Sequence, residues 1–63
     1  MNERLLKLPE VKRMTGRSEA SIYRDMESGT FPRPVKIGRW VGWRESLIQA
    51  WIFEQIARSE PAA

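Results

Sequence analysis

Apolar residues in this chain recur first at helical spacing, then alternate with polar ones, then return to helical spacing. Val11 and Met14 stand three apart behind Pro9, while Lys12 and Arg13 between them turn outward. Proline suits the first position of a helix, where its missing N–H costs nothing, and Gly16 supplies a C-terminal stop. A first helix of about two turns is predicted there. Ser18 is placed to cap a second helix, its hydroxyl accepting from a free backbone N–H. In that helix Ile22 and Met26 share one side, extended by Ala20 and Tyr23; Arg17, Ser21, Arg24, Asp25 and Ser28 fall opposite. Gly29 ends it. Ahead of both helices, Arg4-Leu5-Leu6-Lys7-Leu8 reads equally as a small strand or an extended lead-in.

Pro32 and Pro34 forbid helix and hold the chain extended. Val35, Ile37, Val41 and Trp43 then define a hairpin, and burial selects its register. A three-residue turn, Gly38-Arg39-Trp40, would set Ile37 opposite Val41 and Val35 opposite Trp43, with Lys36 and Gly42 on the other face. A two-residue turn at Gly38-Arg39 would split the apolar residues between faces. Against the first choice, three-residue loops favour glycine at their third position, which here is Trp40. The last helix is predicted to open at Ser46, with Gln49 completing a capping box. Leu47, Ile48, Trp51, Ile52 and Ile56 make a broad stripe that closes the core, and Phe53 lies off it. The expected architecture is mainly α with a small β-hairpin: three helices plus a two-stranded wing, a winged helix-turn-helix. One domain is expected over residues 1–58, followed by a disordered tail at 59–63.

At 63 residues without Cys or His, disulfides and the usual zinc ligand sets are excluded as staples, so the core must come from bulky apolar residues. The absence of Cys fits a reducing compartment. No apolar run is long enough for a membrane helix and the N-terminus lacks the apolar stretch of a secretory signal, so a soluble cytoplasmic protein is expected. Net charge is +3, and its distribution matters more than its size. Residues 1–44 carry ten Lys or Arg against five Asp or Glu, whereas residues 45–63 carry one Arg against three Glu. The basic excess therefore lies with the helix pair and hairpin, which is where a nucleic-acid binder needs it. An enzyme is not expected. No His or Cys serves as base or nucleophile, the carboxylates are dispersed, and no Gly-rich loop follows a strand to cradle phosphates. No catalytic residue, metal or cofactor is assigned.

Several linked motifs, in order, resemble the AlpA family of small phage and mobile-element regulators. They are Leu5-Leu6-Lys7-Leu8-Pro9-Glu10-Val11, Thr15-Gly16-Arg17-Ser18, Ser21-Ile22-Tyr23-Arg24, the run from Gly29 to Gly38, Val41-Gly42-Trp43, Glu45-Ser46 and Ala50-Trp51-Ile52. The likeness spans roughly residues 4–57. The Phe31-Pro32-Arg33-Pro34-Val35-Lys36 stretch is also similar to phage excisionases, and both groups relate to the DNA-binding domain of MerR-type regulators. The wing is shorter than in many members. The resemblance implies sequence-specific binding of double-stranded DNA, at an attachment site or a promoter, by a protein of a prophage or integrated element. The output would be excision, transcription of an integrase gene, or both, in the bacterial nucleoid.

On that reading Ser21 and Arg24, one turn apart, enter one groove together. Arg24 has the fork that matches guanine O6 and N7, and Ser21 bonds a nearby base edge. Arg17 and Ser18 sit at the helix N-terminus, where phosphate is favoured. Glu19 accepts from a cytosine amino group or merely complements the helix dipole, while Asp25 and Ser28 complete the polar face. Tyr23 is expected to turn its apolar side to the core. Lys36 and Arg39 are the wing candidates, Arg39 at the tip, with Arg33 and Arg44 supplying flanking backbone charge. Trp40, placed at the tip, packs on DNA sugar, on a neighbouring subunit or back onto the core. A domain this small offers few base contacts, so cooperative self-association on adjacent sites is expected, with an integrase as a further partner. The rival reading is a protein-interaction module that binds an integrase through its last helix without reading DNA, and an exposed Phe53 would favour it.

Overall fold

A computed structural model gives the arrangement of residues 3–59. The elements run β1 (Leu5–Leu6), α1 (Leu8–Thr15), α2 (Glu19–Ser28), β2 (Val35–Ile37), β3 (Trp40–Arg44) and α3 (Glu45–Ser59). The mainly helical class with a small antiparallel sheet is the expected one, and the arrangement is compatible with a winged helix-turn-helix. The sheet has three strands rather than two, in the order β1-β3-β2. Its third strand is the segment that the sequence left open: Leu5 pairs with Arg44 and Leu6 with Trp43.

Local chemistry accounts for the helix pair. α1 starts at Leu8, so Pro9 holds the second helical position, still within the turn whose N–H groups lack partners. Gly16 closes α1 in the left-handed conformation at φ 71°, its N–H donating to Lys12 O at 2.8 Å. The Thr15 hydroxyl donates to Val11 O at 2.8 Å and accepts from Arg17 N at 3.3 Å, which ties the turn to α1. Ser18 caps α2 as expected, accepting from Ser21 N at 3.2 Å.

Leu6, Val11, Ile22, Trp43 and Ile48 are fully buried and Phe31 nearly so; these six form the core. Each helix and β1 and β3 thus contribute at least one side chain. Trp43 places its indole inside and still donates from Nε1 to Pro32 O at 3.0 Å, so its polar edge is not stranded. Phe31 meets Trp51 edge-on at 4.9 Å, and Trp51 Nε1 donates to Thr30 O at 2.9 Å. These contacts fasten the segment after α2 to both β3 and α3.

The hairpin register differs from the predicted one. Ile37 pairs with Trp40, Lys36 with Val41 and Val35 with Gly42, around a two-residue Gly38-Arg39 turn. Gly38 takes φ 60° while Arg39 keeps a negative φ, the signature of a turn with glycine at its first central position. That local preference outweighs gathering four apolar side chains on one face. Val41 and Trp43 take the inner face in this register, and Val35 and Ile37 lie on the outer face at about 40% exposure. Lys36 lies on the side of Val41, not beside Gly42.

α3 also differs from expectation. It follows β3 without a break, and a distant carboxylate serves its first turn in place of the predicted Ser46–Gln49 box. Glu3 accepts from Ser46 N at 3.1 Å and from the Ser46 hydroxyl at 2.7 Å, while Glu45 N donates to Arg4 O at 2.8 Å. Only Ile48 of the predicted stripe is fully buried; Trp51 and Ile52 are half-buried, and Leu47 and Ile56 are exposed. Ser59, assigned to the tail, is the last residue of α3, and the rest of that tail lies outside the described residues.

Hydrogen bonds from Ser46, reinforced by Arg44, hold the Glu3 carboxyl below its ordinary value of 4.5. The ionised form is therefore favoured by folding, so this contribution is complete above pH 4.5 and fades as acid protonates Glu3 in the folded state. Glu3→Gln should lower the melting temperature at pH 7, and the gap from wild type should close as pH falls below about 4.5. Melting curves recorded across that range check it; a gap that widens in acid contradicts it.

Candidate nucleic-acid interface

α2 is anchored by Ile22, with Met26 packed against the core and Asp25 half-buried beside it, and presents the opposite arc outward. Its exposed arc centres on Ala20, Arg24 and Glu27, with the Arg24 side chain 73% exposed. Tyr23 is 41% exposed, so the expectation that its apolar side faces the core is corrected, as is the same expectation for Ala20. The free face is turned toward Tyr23 and Glu27 relative to the predicted one. Sequence periodicity missed Tyr23 because it counts as apolar, although a phenol that is wet at one end is common at contact surfaces.

The predicted residues separate into groups. Ser18 and Ser21 lie together at the N-terminus of α2, their hydroxyls 3.0 Å apart, beside exposed Glu19. Ser28 remains exposed near the other end, its hydroxyl donating to Asp25 O at 3.1 Å and meeting Thr30 Oγ1. Arg17 and Asp25 turn toward one another instead of outward. The Arg17 Nη2 donates to the Asp25 carboxylate, and the guanidinium lies 5.9 Å from the Trp51 ring centroid. This pair spans α2 and leans on α3, so much of its charge is directed inward.

The wing and its flanks divide in the same way. Arg39 occupies the turn and is exposed, as is Lys36; neither forms an ion pair among the described residues. Trp40 is not at the turn tip but is the first residue of β3, 39% exposed, with Lys7 Nζ 5.3 Å above its ring. Arg33 reaches back to Met26 O at 3.3 Å, where a cation complements the C-terminal end of α2. Arg44 binds the Glu3 carboxylate at 3.2 Å. Both keep exposed surface. Arg24, Lys36 and Arg39 are thus the least committed of the predicted cations, at most held by a loose 3.9 Å approach of Arg24 to Asp25. Among the described residues no cluster of three or more carboxylates is arranged to hold a metal, and no helix is long and apolar enough to cross a membrane.

The elements just described coincide with a known family. Residues 4–56 match the model of the CP4-57 prophage regulatory protein, AlpA. The chain belongs to the AlpA family. An AlpA-family match of that extent takes in β1, the helix pair, the wing and most of α3. A similar protein is the uncharacterized ORF88 of Enterobacteria phage P4, 39% identical over 56 residues, covering 87% of this chain and 64% of the relative. The chain therefore spans about 64% of that relative's length. No solved structure matches.

The Arg17–Asp25 pair gives a stability prediction. Asp25→Ala leaves a partly buried guanidinium without its acceptor and should destabilise the fold by about 1–2 kcal/mol in urea unfolding. Adding Arg17→Met should recover part of the loss, because no charge is then left unpaired. A loss under about 0.5 kcal/mol would mean that the pair is no more than a surface contact.

Proposed function

We propose that this AlpA-family chain is a sequence-specific double-stranded DNA-binding regulator of a prophage or integrated element, without catalytic activity. α2 enters the major groove and the β2–β3 wing lies on the flanking backbone. Arg24 bonds a guanine edge, Tyr23 and Ser21 contact the groove on either side, and Ser18 offers the helix N-terminus to a phosphate. Lys36 and Arg39 contribute backbone contacts from the wing. Arg17 and Asp25 act one step back: they hold the start of α2 against its later turns and against Trp51, so that the reading face is fixed before DNA arrives.

The single observation that carries this reading is the outward arc of α2. Its opposite side is anchored by Ile22, and at its centre stands an exposed arginine held only by a loose 3.9 Å approach to Asp25. The concentration of basic residues in positions 1–44 supports it. The family's regulatory role in a prophage fits two outputs of the same protein chemistry. Sites beside an integrase promoter would make the protein a transcriptional regulator, and sites within an attachment region would make it an excisionase. Cooperative occupation of neighbouring sites would compensate for the few base contacts one copy makes.

A second reading has an observation of its own. Phe53 is 70% exposed and Ile56 45% exposed on α3, which is the surface expected of a module that docks on an integrase. Fluorescence anisotropy at low salt, with duplexes from the attachment region and the integrase promoter, separates the two. DNA binding should be detected, and its affinity should fall steeply with salt. Arg24→Ala should relax preference at one base pair by about 1–3 kcal/mol while circular dichroism stays unchanged. Absence of binding to any duplex, with retention of an integrase partner, would favour the second reading.

A further inference from the structure

Only part of the wing is supported by the rest of the sheet. β1 pairs with residues 43 and 44 of β3, so residues 40 and 41 have β2 alone beside them. An isolated two-stranded ribbon is marginally stable and twists easily. Something must set the direction in which the Gly38-Arg39 turn points. On the inner face Val41 packs against the core. On the outer face the register places Trp40, Gly42 and Arg44 together, and the Trp40 ring lies back along the strand across Gly42.

The fit over Gly42 is close. A Cβ at that position would stand 2.7 Å from Trp40 Cζ3 and 3.0 Å from Leu5 Cβ, so no other residue leaves the ring where it is. Gly42 is not needed there for its backbone, since its φ is not in the left-handed region. Lys7, whose main chain is fixed as the N-cap of α1, places its ammonium 5.3 Å above the same ring. Trp40 therefore lies across Gly42 and ties the wing to the start of α1 through Lys7, and it directly follows Arg39 in the chain.

We propose that Gly42 and Trp40 form a seat that fixes the wing turn, making them positioning residues for Arg39. This rests on the reading of Arg39 as a backbone contact to DNA, but the seat itself can be tested without DNA. Gly42→Ala should unseat the ring and free the tip. The backbone order parameter of Arg39, measured by NMR relaxation on the free protein, should fall from about 0.85 toward 0.6 or below. The Trp40 indole N–H resonance should move with it. In DNA titrations, Arg39→Ala should weaken binding about tenfold in the wild-type background and by less than about twofold in the Gly42→Ala background. Trp40→Leu, which removes the ring without crowding the strand, should uncouple Arg39 equally and covers the case in which Gly42→Ala fails to fold. Trp40→Phe should restore most of the coupling.

An Arg39 order parameter unchanged in both Gly42→Ala and Trp40→Leu would overturn the seat. So would an Arg39→Ala effect of the same size in every background, which would leave Trp40 at most a separate contact. Failure of the wild type to bind any duplex would instead remove the DNA reading, and the relaxation measurement would still decide whether the seat exists.

Discussion

Trp43 stands where the chain's separate pieces meet. Its side chain is wholly out of water, its backbone pairs with Leu6 of β1, and its indole N–H is satisfied by Pro32 O in the segment leaving α2. Two residues later α3 begins. One side chain thus sets the sheet, the exit of the second helix and the start of the third in a common frame. Burying so large an aromatic surface is among the strongest driving forces available to a chain that has no Cys for disulfides. The N–H would be costly to bury without an acceptor, which makes the proline-rich segment part of the core's chemistry.

With six side chains in that core among the described residues, most of each helix remains outside it. α2 is held by Ile22 and, more lightly, by Met26. The Arg17–Asp25 pair, supported by Trp51, adds a polar restraint along one flank. Such a helix is anchored along a narrow stripe and is otherwise available to a partner, which is the geometry a groove-reading helix requires. The same economy explains α3. A single row of contacts seats it, and Leu47, Phe53 and Ile56 are left facing solvent on other sides.

Much of this was legible in the sequence because local chemistry decided it. Gly16, Ser18 and Gly29 place the boundaries of the helix pair, and each does so through its own backbone or hydroxyl group. Ile22 declared the buried side of α2 by its spacing from Met26. What escaped depended on distant partners. Nothing near Ser46 indicates that Glu3 will serve the start of α3, and nothing near Leu5 indicates that it will pair with Arg44. The wing register departs from the apolar pattern for a different reason: the Gly38-Arg39 turn, with glycine at its first central position, sets the pairing, and burial of Val35 and Ile37 does not. Of the candidate site, Ser18, Glu19, Arg24, Ser28, Lys36 and Arg39 are exposed, whereas Arg17 and Asp25 are turned toward each other by a contact with no sequence signature. Tyr23 was missed because periodicity counts a half-wet aromatic as a core residue.

The central claim is that the surface turned to DNA is the outer arc of α2 together with the wing, not the apolar back of α3. Chemical-shift mapping with isotope-labelled protein tests it most directly, using a duplex from the element's attachment region at low ionic strength. The account predicts perturbed amides across residues 18–28 and 36–40, with Phe53 and Ile56 unmoved. Shifts concentrated around Phe53, with α2 and the wing silent, would contradict it.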